Sequence, residues 1–253
     1  MKRIGQSRFN AAGLAAFFTL AIFDFSFGVT VAHAEALPPH PTMVVYVANG
    51  EPDACGKIAA EGPIGEGSAA RLCAVLNRAG KKLPVFFDSG GGIFDEALSM
   101  GRLLRERGLT AGVAKTIISA CSTTQECLDL KRSGKTVLAK TWPEGGRCNS
   151  TCVYAFLGAA TRLVSPDTTL GVHETRLAVM RKAGSLDAVD MKKATAQQKA
   201  DFNRFDSTLR AFLREMGIDL RLADLAKSTP YNKLHFLTKE EFGEFGIARV
   251  ADR

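Results

Sequence analysis

Two side chains between Gly145 and His173 have the types and spacing that acyl transfer needs. Ser150 sits in a polar knot, Cys148-Asn149-Ser150-Thr151-Cys152, directly before the apolar run Val153-Tyr154-Ala155-Phe156-Leu157. That run predicts a helix opening at the knot. A hydroxyl there lies beside unpaired backbone N–H groups and the positive end of the helix dipole. After a turn at Ser165-Pro166-Asp167, the alternation Thr168-Thr169-Leu170-Gly171-Val172 predicts a short strand with His173 at its end. A histidine so placed can act as general base for a neighbouring serine. The same residues also read as an ordinary helix cap and a satisfied polar histidine. Cys152, one turn from Ser150, is the alternative nucleophile unless a bridge to Cys148 removes its thiolate.

A second stretch upstream adds a place for developing negative charge. Residues 83–87 predict a strand, Asp88-Ser89-Gly90-Gly91-Gly92 follows, and residues 93–107 predict a helix that stops at Gly108. Residues 109–114 predict the next strand, so this is a parallel strand–helix–strand unit. Glycines where strand becomes helix let backbone N–H groups approach a ligand closely. The turn can be structural, a phosphate cradle or an oxyanion hole. A Walker A loop needs Lys-Ser/Thr after the glycines, and Ile93-Phe94 stands there instead. The dinucleotide pattern fails as well, for want of a closing glycine. Gly91 and Gly92 are therefore carried as oxyanion-hole candidates.

The chain has 253 residues, 46% of them apolar and 23% charged, which are ordinary globular values. The net charge of +7 is scattered, with no run of five or more like charges, so no nucleic-acid partner is expected. Residues 1–34 read as a signal peptide: Lys2, Arg3 and Arg8, an apolar run over 11–23, and Ala32-His33-Ala34 before Glu35. Asp24 interrupts the apolar run, which disfavours a permanent span, and no later segment is apolar for long enough. The mature chain is thus expected not to span a membrane, and to be periplasmic or secreted. Six cysteines remain, Cys55, Cys73, Cys121, Cys127, Cys148 and Cys152, and an even number in an exported chain suggests disulfides. Pairing of neighbours is the simplest connectivity, though the bridge over 148–152 is geometrically difficult inside a regular helix. The spacings lack paired C-x-x-C motifs, so no metal is expected, and no motif calls for a cofactor.

The elements that must position these residues follow from periodicity. After a proline-rich linker over 35–42, residues 43–47 predict a strand buried on both faces, and 66–79 a helix stopped by Gly80. Residues 115–145 read as a polar insertion stapled by Cys121 and Cys127, with a short strand over 136–139. Residues 174–184 read as a connector. Residues 187–216 predict a long helix with Phe202, Phe205, Leu209, Phe212 and Leu213 as its apolar stripe, followed by a short helix over 219–227. Thr238 and Glu241 form a capping box for a closing helix, and 247–250 predict a last strand.

Four of these pieces together resemble the Clp-type serine peptidases of the crotonase-like fold. They are Phe87-Asp88-Ser89-Gly90-Gly91-Gly92, the knot around Ser150, Gly171-Val172-His173, and Phe236-Leu237-Thr238 through Phe245-Gly246-Ile247. The likeness covers about residues 43–250, and is greatest to an exported Clp-like branch with a Cys-x-Ser-x-Cys-type knot. It implies an α/β fold, a spiral of repeated β-β-α units with mainly parallel strands and a long C-terminal helical segment. It implies Ser150 as nucleophile, His173 as base, Gly91 and Gly92 as oxyanion donors, a peptide or protein substrate, and self-association into a homo-oligomer. The family's third catalytic residue, an Asp before the closing Phe-Leu, is absent: Asn232-Lys233-Leu234-His235 stands there. Asn232 is the substitute through its side-chain carbonyl, with Glu174, Asp219 and Asp224 as further acids and a Ser–His dyad as another option. The alternative function is a catalytically degenerate binding or scaffold protein of the periplasm.

Overall fold

The structure, a computed structural model, describes residues 42–50, 56–165, 167–175, 178–180, 186–188, 190 and 192–248. The leader read over 1–34, the linker up to Pro41 and Cys55 lie outside the described residues. In chain order come β1 (Val44–Asn49), β2 (Lys57–Glu61), α1 (Ser68–Ala79), β3 (Val85–Asp88), α2 (Phe94–Glu106) and β4 (Thr110–Val113). The insertion follows as β5 (Lys115–Ile117), α3 (Thr124–Arg132), β6 (Val137–Leu138) and β7 (Lys140–Trp142). Then come β8 (Arg147–Asn149), α4 (Thr151–Leu157), β9 (Thr161–Leu163), β10 (Thr169–Val172), β11 (Ala178–Met180) and β12 (Leu186–Ala188). The chain closes with α5 (Ala196–Glu215), α6 (Arg221–Ser228), β13 (His235–Phe236) and α7 (Lys239–Glu244).

The fold is α/β with a mainly parallel central sheet. Six strands run in the order β6-β1-β2-β3-β4-β9. Strands β2, β3, β4 and β9 are parallel, β1 is antiparallel to β2, and β6 is parallel to β1. Strands β2 and β4 are almost wholly buried, which is why they lack polar–apolar alternation in the sequence. A three-stranded sheet, β13-β10-β8, continues from the tip of β3 through a single parallel bridge between Ser89 and Cys148.

Helix α1 buries Leu72, Val75 and Leu76, and α2 buries Ala97, Leu98, Met100, Gly101 and Leu104, the i, i+3, i+4 spacing of one face. Gly101 and Gly158 let α2 and the end of α4 approach. A Cβ on Gly158 would lie 2.0 Å from the Gly101 carbonyl oxygen, so only glycine fits. Helix α4 is buried along its whole length and forms the middle of the core. Arg162 of β9 holds its end in place. It donates to the carbonyls of Leu157, Met216, Gly246 and Ile247, and burial pushes its guanidinium down to about 10. Among the described residues no helix is long and apolar enough to cross a membrane.

Three sequence expectations change. The long helix begins at Ala196, not 187, because Thr195 caps it with Gln198 at N3, a box that the helical composition upstream conceals. Residues 186–188 instead pair with 178–180 as an antiparallel hairpin. Ile247 and Ala248 are outside any strand, and 249–250 lie outside the described residues.

Candidate active site

Strands β3, β8 and β10 run side by side in the same direction and end together. The Ser89 N–H donates to the Arg147 carbonyl and the Asn149 N–H to the Ser89 carbonyl, fixing β8 beside the glycine turn. On the other side Gly171 of β10 lies opposite Asn149, and the Ser150 N–H donates to the Gly171 carbonyl at 2.7 Å. Ser150 therefore stands between the glycine turn and the end of the strand that leads into His173. Adjacent strands lie roughly 5 Å apart, so the topology gathers Gly91, Ser150 and His173 at one sheet edge, where sites of α/β proteins form.

Ser150 is the single non-glycine residue with positive φ among the described residues, at φ 56° and ψ −129°. An L-residue there carries backbone strain of roughly 1–3 kcal/mol. The conformation makes the turn from β8 into α4 abrupt. The hydroxyl caps no helix N–H, and Thr151 and Cys152 begin α4 without partners for their own N–H groups among the described residues. The helix-cap explanation of Ser150 is thereby removed. The disulfide Cys148–Cys152 spans the same turn, with Cα atoms 5.2 Å apart and both residues wholly buried. Because Cys148 lies in β8 and not in the helix, the bridge can form, and Cys152 has no thiolate with which to attack.

Gly91 is pressed against this turn. At φ 97°, a Cβ on it would lie 2.7 Å from the Asn149 carbonyl oxygen, 2.8 Å from Ser150 Cβ and 3.0 Å from the Thr151 nitrogen. The Gly92 N–H donates to Thr151 Oγ1 at 2.8 Å and the Gly91 N–H to Ser89 Oγ at 3.1 Å. Both expected oxyanion donors thus hold a side-chain hydroxyl. The backbone N–H of Thr151, next to Gly91, has no partner among the described residues, as is true of Cys152, and neither is among the donors expected from the sequence. Asp88, just before the turn, has its carboxyl pushed up by burial, while the backbone N–H of Arg147 pulls it partly back.

His173 follows β10 and is half-buried. Its Nδ1 lies 2.7 Å from the Glu174 carbonyl oxygen, and since a carbonyl only accepts, Nδ1 carries the proton. The Tyr231 ring stands edge-on to the imidazole, with centroids 5.1 Å apart. The 229–231 segment is itself tied down: the Glu174 N–H donates to the Thr229 carbonyl and the Tyr231 N–H to Glu174 Oε1. No hydrogen bond joins Ser150 to His173 among the described residues. Asn232 is exposed and makes no hydrogen bond to the imidazole. Asp219 and Asp224 hold Arg221 and Arg210 instead.

The other cysteines divide between bridge and thiol. Cys121–Cys127 is a disulfide at the start of α3, whereas Cys73, which neighbour pairing would join to Cys55, is a free thiol that accepts from Arg107. Among the described residues no group of His, Cys, Asp and Glu could hold a metal ion.

No family model and no curated protein matches the chain. Among solved structures it is similar to a membrane-bound stomatin-specific protease, 1510-N. For one mutant the identity is 16% and the TM-score 0.49, over 85% of this chain and 82% of that one. A second mutant, in complex with a substrate peptide, gives 17% and 0.48 over 85% and 77%. ClpP1 from Listeria monocytogenes gives 12% and 0.47 over 77% of this chain and 90% of that one.

Proposed function

We propose that this protein is an exported serine hydrolase of Clp-like fold that acts on peptide bonds by acyl transfer. The observation that carries the reading is Ser150: a strained, uncapped serine on a strand-to-helix turn, with Gly91 packed closely against it. Strain of this kind persists where it exposes a nucleophile. Ser150 Oγ would attack the carbonyl carbon while His173 Nε2 takes the hydroxyl proton. The tetrahedral oxyanion would rest on the Thr151 N–H and on the Gly91 N–H once Ser89 Oγ releases it. One such donor contributes roughly 3–4 kcal/mol to the transition state. The protonated imidazole then hands its proton to the leaving amine, and water repeats the sequence to free the acyl group.

The Glu174 carbonyl fills the orienting role in this reading, in place of Asn232. It fixes the tautomer with Nδ1 protonated and leaves the Nε2 lone pair for the serine. Export rests on the leader pattern and is supported by the two disulfides, which persist in an oxidising compartment. The test is a fluorophosphonate probe on the mature protein. Labelling at Ser150, lost in Ser150→Ala with little change in melting temperature, is the expected result, and unlabelled wild-type protein overturns the reading. N-terminal sequencing of protein from the cell envelope should start at or near Glu35. A second reading, a non-catalytic binding protein, is favoured by the occupied N–H groups of Gly91 and Gly92. It predicts peptide binding that Ser150→Ala leaves intact, with no labelling.

A further inference from the structure

Strand β1, helix α1 and the end of α3 line a cavity of about 260 Å³. Its floor is the start of β1 from Thr42, and its walls carry Arg71, Arg78, Lys131 and Arg132, with no acidic residue lining it. Lys131 pairs with Glu61, and the mutual repulsion of the three arginines would be relieved by an anion between them.

Two of the four are held in position. Arg71 donates from Nε to the Met43 carbonyl, and from Nη2 to the Glu66 carbonyl and Ser68 Oγ, so its guanidinium is fixed without an acidic partner. Lys131 is anchored from behind by the buried Glu61 at 2.5 Å and lies 5.7 Å from the centre of the Tyr46 ring. Arg78 and Arg132 have neither an ion pair nor a hydrogen-bond partner among the described residues, and both are exposed. A cation in the last turn of a helix is commonly explained by the helix dipole, which suits Arg78, Lys131 and Arg132. It does not suit Arg71, which lies in the first turn of α1, where the dipole repels it, although the Glu96 carboxylate accepts from the Gly67 and Ala69 N–H groups at that helix end.

We infer that this cavity is a binding site for a phosphate group. A carboxylate engages one guanidinium fork, whereas the tetrahedral oxygens of a phosphate engage several at once, and three arginines converge here. The cavity admits a headgroup-sized ligand. The phosphate comes either from an anionic phospholipid or from a free phosphorylated molecule, and the inference is independent of the role of Ser150.

The experiment uses the mature protein with two probes, phosphatidylcholine vesicles doped with phosphatidylglycerol, and inorganic pyrophosphate in solution, with an aspartate-rich peptide as competitor. Arg78→Ala combined with Arg132→Ala should weaken binding of the relevant probe about tenfold or more. Lys199→Ala combined with Arg214→Ala removes the same charge from exposed positions of α5 and should leave binding unchanged. Vesicle binding alone identifies a lipid headgroup, and pyrophosphate binding a free phosphate. Equal loss in both double variants, binding of neither probe, or displacement by the peptide at lower concentration than pyrophosphate overturns the inference. Ser150→Ala should bind as the wild type does.

Discussion

Helices α3 and α4 both begin inside a short disulfide loop, and only α3 uses the hydroxyl in front of it as a cap. At α3, Thr123 accepts from the Glu126 N–H, and Glu126 in turn accepts from the N–H groups of Thr123 and Ser122. Thr123 is in ordinary extended backbone, and α3 buries no side chain. At α4, Ser150 has positive φ and caps nothing, and every residue of the helix is buried. The first cystine secures a surface helix whose local sequence already favours it. The second holds a turn that local propensity opposes, and the buried helix behind it provides the opposing packing. Stability is invested at one helix start and strain at the other, which is the distribution expected when only one of them does chemistry.

The sharpest way to break this comparison is Gly91→Ala. Its Cβ would overlap Asn149, Ser150 and Thr151, and φ 97° alone costs roughly 1–3 kcal/mol. Fluorophosphonate labelling should vanish and the melting temperature fall; retained labelling would mean that the serine turn does not depend on the glycine. Removing the cystines comes next. Loop entropy assigns each short bridge about 2 kcal/mol. Cys121→Ala with Cys127→Ala should lower denaturant stability by about that much and leave labelling intact, whereas Cys148→Ala with Cys152→Ala should reduce both. Equal labelling in the two variants would remove the distinction between the helices.

Substitution of the two hydroxyl residues should move stability in opposite directions. Thr123→Ala loses a cap and about 1 kcal/mol. Ser150→Gly relieves strain and should add about 1 kcal/mol while ending labelling. A stability loss in Ser150→Gly would show that Ser150 is structural. The smallest effect concerns Asp88. Burial raises its carboxyl, so the folded protein keeps that proton to higher pH than the unfolded chain does. Its contribution to stability is present below the unfolded value and is lost as pH rises through the folded one. Compared with Asp88→Asn, the wild type should therefore lose melting temperature from about pH 4 towards neutrality; a gain over that range would reverse the assignment.

Much of this was legible in the sequence because it rests on local patterns. The strand–turn–helix around Gly90–Gly92, the helix at the knot, β10 and the Thr238 capping box all follow from periodicity and caps acting over a few residues. Neighbour bridges at 121–127 and 148–152 are set by short chain separation. What only the tertiary structure decided is which groups meet. The Ser150 backbone is strained because β8 is held between Ser89 and Gly171, residues distant in sequence from it and from each other. The partner of His173 is a backbone carbonyl, invisible in residue types, and not Asn232. Thr151 engages Gly92 through a hydroxyl that sequence reads as one more polar residue of the knot. The short strands β5, β7, β8 and β13 have two or three residues each, too few for any period, and exist because a neighbouring strand supplies their hydrogen bonds. Arg71 and Arg78 lie on the helix that periodicity predicts, whereas Lys131 and Arg132 lie in a segment that reads only as a polar insertion; packing of α1 and α3 against β1 turns all four towards one cavity.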